Sequence, residues 1–283
     1  MQIFREKSAL QEAVKKVKSN GLQVGLVPTM GALHEGHLSL VQNALEQSDQ
    51  VIVSIFVNPT QFDNSEDLEK YPRNLQKDLS LLESIAQDIW VFNPDPAEMY
   101  GEAISSEHFD FEGLEKVMEG KFRAGHFDGV GTIVKRLFEI VTPDKAFFGE
   151  KDYQQLQIIK KLIRITELPV EIVPCPILRE ENGLARSSRN ERLNSREREN
   201  AAFIYQTLQD ARELFGTKSA EHVTNWVTAE FQKNPDLQLE YFEIADSETL
   251  QKIEKKKKGN HYRAFIAAYA GEVRLIDNIA LNN

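Results

Sequence analysis

The segment that most restricts the fold is residues 51–57, in which every side chain except that of Ser54 is apolar. A strand with apolar side chains on both faces belongs inside a parallel sheet that helices cover on both sides. Shorter apolar runs at 22–27, 89–92, 146–148 and 170–173 alternate with helical patterns at 38–45, 75–85, 130–140 and 153–163. This alternation predicts an α/β fold with a Rossmann-like, doubly wound parallel sheet.

The pattern changes after residue 176. An arginine-rich stretch at 186–198 precedes helical patterns at 200–215 and 220–231, and two or three strands follow. Gly271 and Glu272 fit a two-residue hairpin turn between the last strands. We therefore expect two domains, residues 1–176 and a smaller α+β domain of residues 177–283. Near the start, Ser8 and Gln11 fit a capping box for a first helix.

Composition excludes several classes of protein. The net charge of −10 disfavours a nucleic-acid surface, and the lysine run at 255–258 is expected to be a solvated loop. The first twenty residues are charged and no apolar run reaches the roughly 18 residues of a membrane span, so we expect a cytoplasmic protein without membrane contact. The single cysteine, Cys175, is expected to be a small buried hydrophobe.

The turn after the first apolar run carries the main chemical signal. Residues 28–37 read PTMGALHEGH and lead into a helical pattern. A glycine-containing turn from a strand into a helix presents backbone N–H groups and a partial positive charge, which suit a phosphate. His34 and His37 add donors that could stabilise charge developing on that phosphate. The turn therefore predicts chemistry on a nucleotide phosphate.

The two histidines could instead have a structural role or bind a metal ion. A histidine pair can pack against a helix or cap it. The zinc-helix motif requires histidines four residues apart, whereas His34 and His37 are three apart, and Gly36 is unfavourable in a helix interior.

Residues that follow the other strands could complete a site. Gln61, after the second strand, offers a donor and an acceptor for a small substrate with hydroxyl and carboxylate groups. After the fourth strand, Gly149 allows close approach of a ligand, Lys151 suits a phosphate, and Asp152 could accept from ribose hydroxyls or cap a helix. Asp78 and Glu150 are weaker candidates for Mg²⁺ ligands.

A serine- and arginine-containing stretch supplies a third element. Its hydroxyls and guanidinium groups suit polyphosphate recognition on a closing arm, although such a loop alone is also typical of a solvated linker. The residues are Arg186, Ser187, Ser188 and Arg189. Residues 122–129, by contrast, carry the glycines of a flexible flap, and His126 within it is expected to be structural.

Together these blocks resemble one family of HxGH nucleotidyltransferases, the pantoate–β-alanine ligases. The matching blocks are PTMGALHEGH at 28–37, FVNPTQF at 56–62, YPR at 71–73, FGEKDYQQ at 148–155 and SSRN at 187–190. The five blocks occur in the family's order, and the resemblance covers essentially the full length of the chain. One departure is Arg186, where the family usually carries methionine.

The resemblance implies an enzyme that uses ATP and Mg²⁺ to condense pantoate with β-alanine through a pantoyl adenylate. It implies catalytic roles for His34, His37, Lys151 and Arg189, with His37 as proton donor, and places pantoate at Gln61 and Gln155, with β-alanine near Gln61. The ATP site would be lined by Met30, Gly31, Ala32, Leu33, His34, Glu35, Gly36, His37, Gly149, Glu150, Lys151, Asp152, Leu178, Arg186, Ser187, Ser188 and Arg189. It also suggests a homodimer.

Three rival functions are considered. Another HxGH adenylyltransferase of a small metabolite would need a cation for a second phosphate, which the block around Gln61 lacks. An aminoacyl-tRNA synthetase would need a basic tRNA platform. A non-catalytic nucleotide-binding module would not need two histidines, Lys151 and the serine–arginine arm together.

Overall fold

The computed structural model describes residues 1–62 and 65–282. Within them the chain divides into two compact units. The first contains residues 1–150 and 154–176, and the second contains residues 151–153 and 177–283. In the described part of the chain, no helix is both long and apolar enough to cross a bilayer.

The first unit contains a six-stranded parallel sheet. Its strands are β1 (Gln2–Phe4), β2 (Val24–Thr29), β3 (Gln50–Ile55), β4 (Trp90–Phe92), β5 (Lys145–Gly149) and β6 (Glu171–Cys175). They lie in the order β1-β4-β3-β2-β5-β6, and every pair is parallel. The chain therefore winds outward from β2 in one direction and returns at β5 to wind in the other. The predicted doubly wound α/β fold is confirmed.

Helices alternate with these strands along the chain. They are α1 (Lys7–Ser19), α2 (Glu35–Gln47), α3 (Ser65–Lys70), α4 (Leu75–Glu83), α5 (Pro96–Tyr100), α6 (Glu119–Phe122), α7 (His126–Val141) and α8 (Tyr153–Thr166). Helix α2 contacts β2, β3 and β5, while α1 and α7 contact β2 and each other. These helices bury central strands such as β3, whose residues from Val51 to Ile55 are all buried as their apolar sequence predicts.

Several predicted boundaries are wrong. Strand β1 was not predicted, since three residues are too few to show a period. The capping box of Ser8 and Gln11 does not form, because α1 begins at Lys7 with Glu6 at its N-cap. Leu22 is 43% exposed and precedes β2, while β3 ends at Ile55 before the last two residues assigned to it.

Among the described residues, the second unit contains three antiparallel strands and three α-helices. The helices are α9 (Ser195–Asn200), α10 (Ala202–Thr217) and α11 (Ala220–Lys233), and the strands are β7 (Leu237–Asp246), β8 (Tyr262–Ala270) and β9 (Val273–Ala280). The strand order is β7-β8-β9, and the hairpin turn at Gly271 joins β8 to β9 as predicted. The helices predicted at 200–215 and 220–231 correspond to α10 and α11 within two residues at each end. The short helix α9, which begins with a capping box of Asn194 and Glu197, was not predicted in the arginine-rich stretch.

The strand order defines where a ligand can bind in the first unit. Strand β2 lies between β3 and β5, so the direction of winding reverses between β2 and β5. In open parallel sheets, ligands bind at the carboxyl ends of the strands where this reversal occurs. The turn after β2 and the residues after β5 are those that the sequence assigned to nucleotide binding.

Candidate active site

Side-chain acceptors hold the turn between β2 and α2 in a left-handed backbone conformation. Gly31 and Ala32 have φ angles of 78° and 50°, a region that costs free energy for alanine. The buried carboxylate of Asp78 accepts the N–H of Ala32 at 3.0 Å and that of Leu33 at 2.7 Å. Thr29 Oγ1 accepts the N–H of Gly31 at 3.1 Å. The turn is thus fixed by side chains from β2 and from α4.

Asp78 is itself in a costly environment. Burial raises the pKa of its carboxyl group, while the N–H groups of Leu33 and Ala32 lower it in part. A Cβ on Gly31 would lie 3.0 Å from Asp78 Oδ2, so glycine allows the close approach.

The two histidines lie at the start of α2. His34 is the N-cap residue, and its Nδ1 accepts the N–H of Gly36 at 3.1 Å. In its neutral form His34 therefore carries its proton on Nε2. The ring centroids of His34 and His37 are 4.1 Å apart. Helix α2 contains the predicted helical residues 38–45 and begins at Glu35. His37 therefore lies in its first turn, where the macrodipole favours an anion.

A second turn presents Gln61. Residues Pro59–Gln61 form a 3₁₀ turn after β3. The fully buried Asn58 donates to the carbonyl of Gly129 at 3.1 Å and to Gln61 Oε1 at 3.3 Å. Tyr100 donates its hydroxyl to Asn58 Oδ1. The side chain of Gln61 is therefore oriented by a buried network that connects β3, α5 and α7.

Helix α7 supports the same turn. His126 Nδ1 lies 2.8 Å from the carbonyl oxygen of Gln61, and since a carbonyl only accepts, this nitrogen carries a proton. His126 is thus structural, as predicted. The predicted flap is wrong for residues 126–129, because they form the first turn of α7. A Cβ on Gly129 would lie 2.2 Å from the carbonyl oxygen of Thr60, so only glycine lets α7 approach the turn.

Replacing Gly129 with alanine tests this contact. We expect Gly129→Ala to displace the Gln61 turn, lowering the free energy of unfolding by about 1–3 kcal/mol and raising KM for the substrate that Gln61 holds. Gly216→Ala in α10 is the control, since no atom lies within 4 Å of the added methyl and stability should not fall. Unchanged kinetics in Gly129→Ala would mean that the turn tolerates movement of α7.

The residues after β5 divide between the two units. Gln155 is half-buried in α8. Its buried neighbour Gln154 donates to the carbonyls of Leu114 and Val117, both at 2.8 Å. Gln154 thus holds the segment of Leu114 and Val117 in place, and Gln155 remains the glutamine that we assign to substrate binding. Gln155 as a pantoate ligand stays a prediction.

The predicted phosphate contacts of the second unit line one cavity. Lys151, Ser187 and Arg189 all lie along it. The side chain of Lys151 is 16% exposed, and its Nζ is 3.7 Å from Asp152 Oδ1. Ser187 Oγ accepts the N–H of Arg189 at 3.2 Å, which begins the 3₁₀ turn of the arm. Two cations and a hydroxyl therefore lie around one small cavity, and their contact with a polyphosphate stays a prediction. Their convergence with the histidine pair stays a prediction.

Arg186 binds other residues of the protein through both its side chain and its backbone. Its guanidinium contacts Glu180 Oε1 at 3.1 Å, and its N–H donates to the carbonyl of Leu178 at 2.9 Å. Arg198 binds the same Glu180 carboxylate through two bonds of 2.8 Å. Burial of Glu180 raises its pKa, but these partners together with Asn190 outweigh burial and lower it. The Arg186 side chain thus stabilises the base of the arm, and its contact with ATP stays a prediction.

The described residues offer no cage for a metal. No group of three His, Cys, Asp or Glu side chains suited to a metal ion occurs among residues 1–62 and 65–282. Both oxygens of Asp78 already accept backbone N–H bonds. Ligation of Mg²⁺ by Asp78 and Glu150 therefore stays a prediction that these contacts do not support.

Cys175, at the end of β6, is expected to be unreactive. It is 1% exposed, and burial, with a smaller contribution from Glu150, raises its pKa to about 11. Because only the thiolate reacts, we expect iodoacetamide at about pH 8 to leave the folded protein unmodified. The same reagent should add one adduct in urea, counted by mass spectrometry. Rapid labelling of the folded protein would contradict the burial described here.

Comparisons with known proteins agree on one family. The model of the family described as pantoate-beta-alanine ligase matches residues 2–280. The chain is 72% identical to the pantothenate synthetase of Christiangramia forsetii over the whole of both chains. It superimposes on the crystal structure of pantothenate synthetase from Thermus thermophilus with a TM-score of 0.90, at 38% identity and full coverage of both chains.

A second solved structure carries ligands. The pantoate-beta-alanine ligase from Francisella tularensis, complexed with beta-gamma ATP and beta-alanine, matches with a TM-score of 0.80 and 35% identity, covering 100% of this chain and 98% of the other. The family expected from the sequence blocks is therefore confirmed. With its fold, its histidine-capped turn and its relatives in agreement, this chain belongs to the pantoate–β-alanine ligase family.

Proposed function

We propose that this chain condenses pantoate with β-alanine at the expense of ATP, through a pantoyl adenylate. The pantoate carboxylate attacks the α-phosphorus of ATP and pyrophosphate leaves. The amine of β-alanine then attacks the acyl carbon, and AMP leaves. Family membership and the ATP and β-alanine complex of the Francisella relative support this substrate set.

The observation that carries the proposal is the β2–α2 turn with its paired imidazoles at the reversal of the sheet. A carboxylate is already a nucleophile, so the first step needs positioning and neutralisation of phosphate charge rather than a general base. Donors at the start of α2, with His37 on its first turn, supply this at the phosphates. Lys151 and Arg189 are proposed to contact the leaving pyrophosphate.

Substrate binding is proposed at the two glutamines. Gln61 offers a carbonyl and an amide to the hydroxyl and carboxylate groups of pantoate, and its orientation is set by Asn58. Gln155 would hold pantoate from α8. Mg²⁺, when bound, neutralises phosphate charge and is proposed to arrive on the phosphate oxygens of ATP, since it usually keeps several waters and few protein ligands. A cytoplasmic location and a homodimer are further proposals.

The experiment is product analysis of the purified protein. With ATP, pantoate and β-alanine together, AMP and pantothenate should form in equal amounts. Omitting pantoate, or replacing it with a phosphorylated metabolite, should stop AMP formation. Release of pyrophosphate with a phosphorylated acceptor, in which the AMP moiety stays on the acceptor and no free AMP appears, would favour the rival adenylyltransferase assignment.

A further inference from the structure

Two buried polar residues near the end of the last strand have no role in the mechanism above. Asp277 and Asn278 of β9 are 5% and 2% exposed. The other buried side chains of β9 are apolar. Burying two adjacent polar side chains costs free energy of folding unless hydrogen bonds compensate for the lost water.

Asn278 reaches the segment that carries Lys151. Its side-chain amide donates to the main-chain carbonyl of Lys151 at 2.9 Å, although the two residues are 127 positions apart. Its Oδ1 accepts from the guanidinium of Arg263, which lies 3.9 Å from the ring centroid of Tyr153. Residues 151–153 are therefore attached to β8 and β9 at both ends, through one hydrogen bond and one cation–π contact.

Asp277 makes Asn278 a rigid support. Its carboxylate accepts the N–H of Asn278 at 2.7 Å and binds Arg179 through two bonds of 2.6 and 2.9 Å. Arg179 in turn stacks on Tyr205 at 3.6 Å and donates to the carbonyl of Gly183 at 3.0 Å. The charge of Asp277 is thus neutralised by a bidentate partner, so it does not oppose an anion near Lys151.

The end of β9 supports both cationic segments that line the cavity, the one with Lys151 and the serine–arginine arm. Arg179 pairs with Ala185 in an isolated β-bridge, which fixes the hairpin leading to the serine–arginine arm. Asp277, Lys151, Ser187 and Arg189 all line the one cavity. A lysine on a flexible four-carbon stem is directed only as well as its backbone is held, so the bond to its carbonyl has functional value.

We propose that Asn278 is a positioning residue for the nucleotide, because its side-chain amide holds the Lys151 carbonyl and thereby directs the Lys151 ammonium at the phosphates of ATP. The inference rests on the proposed role of Lys151 in binding ATP. It adds a requirement that Lys151 must be held from β9 to act.

Asn278→Asp tests the proposal, since it keeps an acceptor for Arg263 and replaces the donor to Lys151 with a repelling oxygen. We expect kcat/KM for ATP to fall about tenfold, as when a buried acceptor loses its partner, with KM for pantoate unchanged. Asn282→Asp is the matched control. It removes the bond of Asn282 to the Asn260 carbonyl in the same unit and should leave both constants unchanged.

A double-mutant cycle separates positioning from general loosening. In a Lys151→Ala background, Asn278→Asp should cause no further loss, because the group it directs is gone. An equal rise in the KM for ATP and the KM for pantoate would overturn the proposal. So would a tenfold further fall in kcat/KM for ATP when Asn278→Asp is added to Lys151→Ala. If Asn278→Asp does not fold, Asn278→Ser removes the amide without adding charge and should show a smaller loss, again specific to ATP, of about threefold in kcat/KM.

The outcomes also separate this inference from the function beneath it. A wild-type protein that forms no pantothenate would refute the proposed function. Normal ATP kinetics in Lys151→Ala would refute the role assigned to Lys151. An active wild type, an impaired Lys151→Ala and an unaffected Asn278→Asp would refute the positioning role alone.

Discussion

Replacing His37 with alanine is expected to lower kcat by about 10²–10³, or roughly 3–4 kcal/mol of transition-state stabilisation, as for loss of one preorganised donor. The ring of His37 lies in the first turn of α2, beside that of His34, where charge on the phosphates is proposed to develop. Since the N-cap bond to Gly36 comes from His34, removing His37 leaves the cap intact and stability should change little.

The measurement is steady-state kinetics with thermal unfolding of the same samples. His222→Ala is the control, since this exposed histidine lies in α11 of the second unit. Near-normal kcat in His37→Ala would remove the residue from the mechanism. A large fall in unfolding temperature would instead assign His37 to the fold.

Replacing Asp78 with alanine is expected to have the second-largest effect. The N–H groups of Ala32 and Leu33 lose their acceptor, and the left-handed conformation at Ala32 loses its main restraint. Because burial already raises the pKa of Asp78, removing its charge recovers part of the desolvation cost. We expect a net loss of about 2 kcal/mol in unfolding free energy and, since the phosphate-binding turn relaxes, about 10²-fold lower kcat/KM.

Asp78→Asn distinguishes support of the turn from metal ligation. An amide retains one acceptor and turns a donor toward a backbone N–H, so both stability and activity should fall. If Asp78 were a Mg²⁺ ligand, raising Mg²⁺ should restore activity, whereas a distorted turn should not respond. Asp88→Asn, on the exposed surface of the same unit, is the control. Full recovery at high Mg²⁺ would contradict the role assigned here.

The sequence predicts best those features that a short continuous segment carries. The apolar run at 51–57 and its neighbours predicted the parallel sheet, and the turn containing His34 and His37 was located before the strand order showed that it lies at the reversal. These features are local, so a period or a motif of ten residues carries them.

Features that depend on contacts distant in sequence were missed. Asp78 supports a turn 45 residues away, and Tyr100 donates to Asn58 across 42 residues. Asn278 contacts Lys151 across 127 residues. No pattern along the chain shows such pairs. What marks Asp78 and Asn278 as unusual is that they are polar and buried, and burial of a polar residue is visible only in the fold.

ATP–pyrophosphate exchange without β-alanine is the most direct test of the central claim, which is that the carboxylate of pantoate is activated as an adenylate before the amine reacts. We predict that labelled pyrophosphate enters ATP when pantoate is present and that no label enters when pantoate is omitted. Exchange that requires β-alanine would mean that no separate adenylate forms. Exchange without pantoate would mean that AMP is transferred to an acceptor other than pantoate, and it would contradict the account.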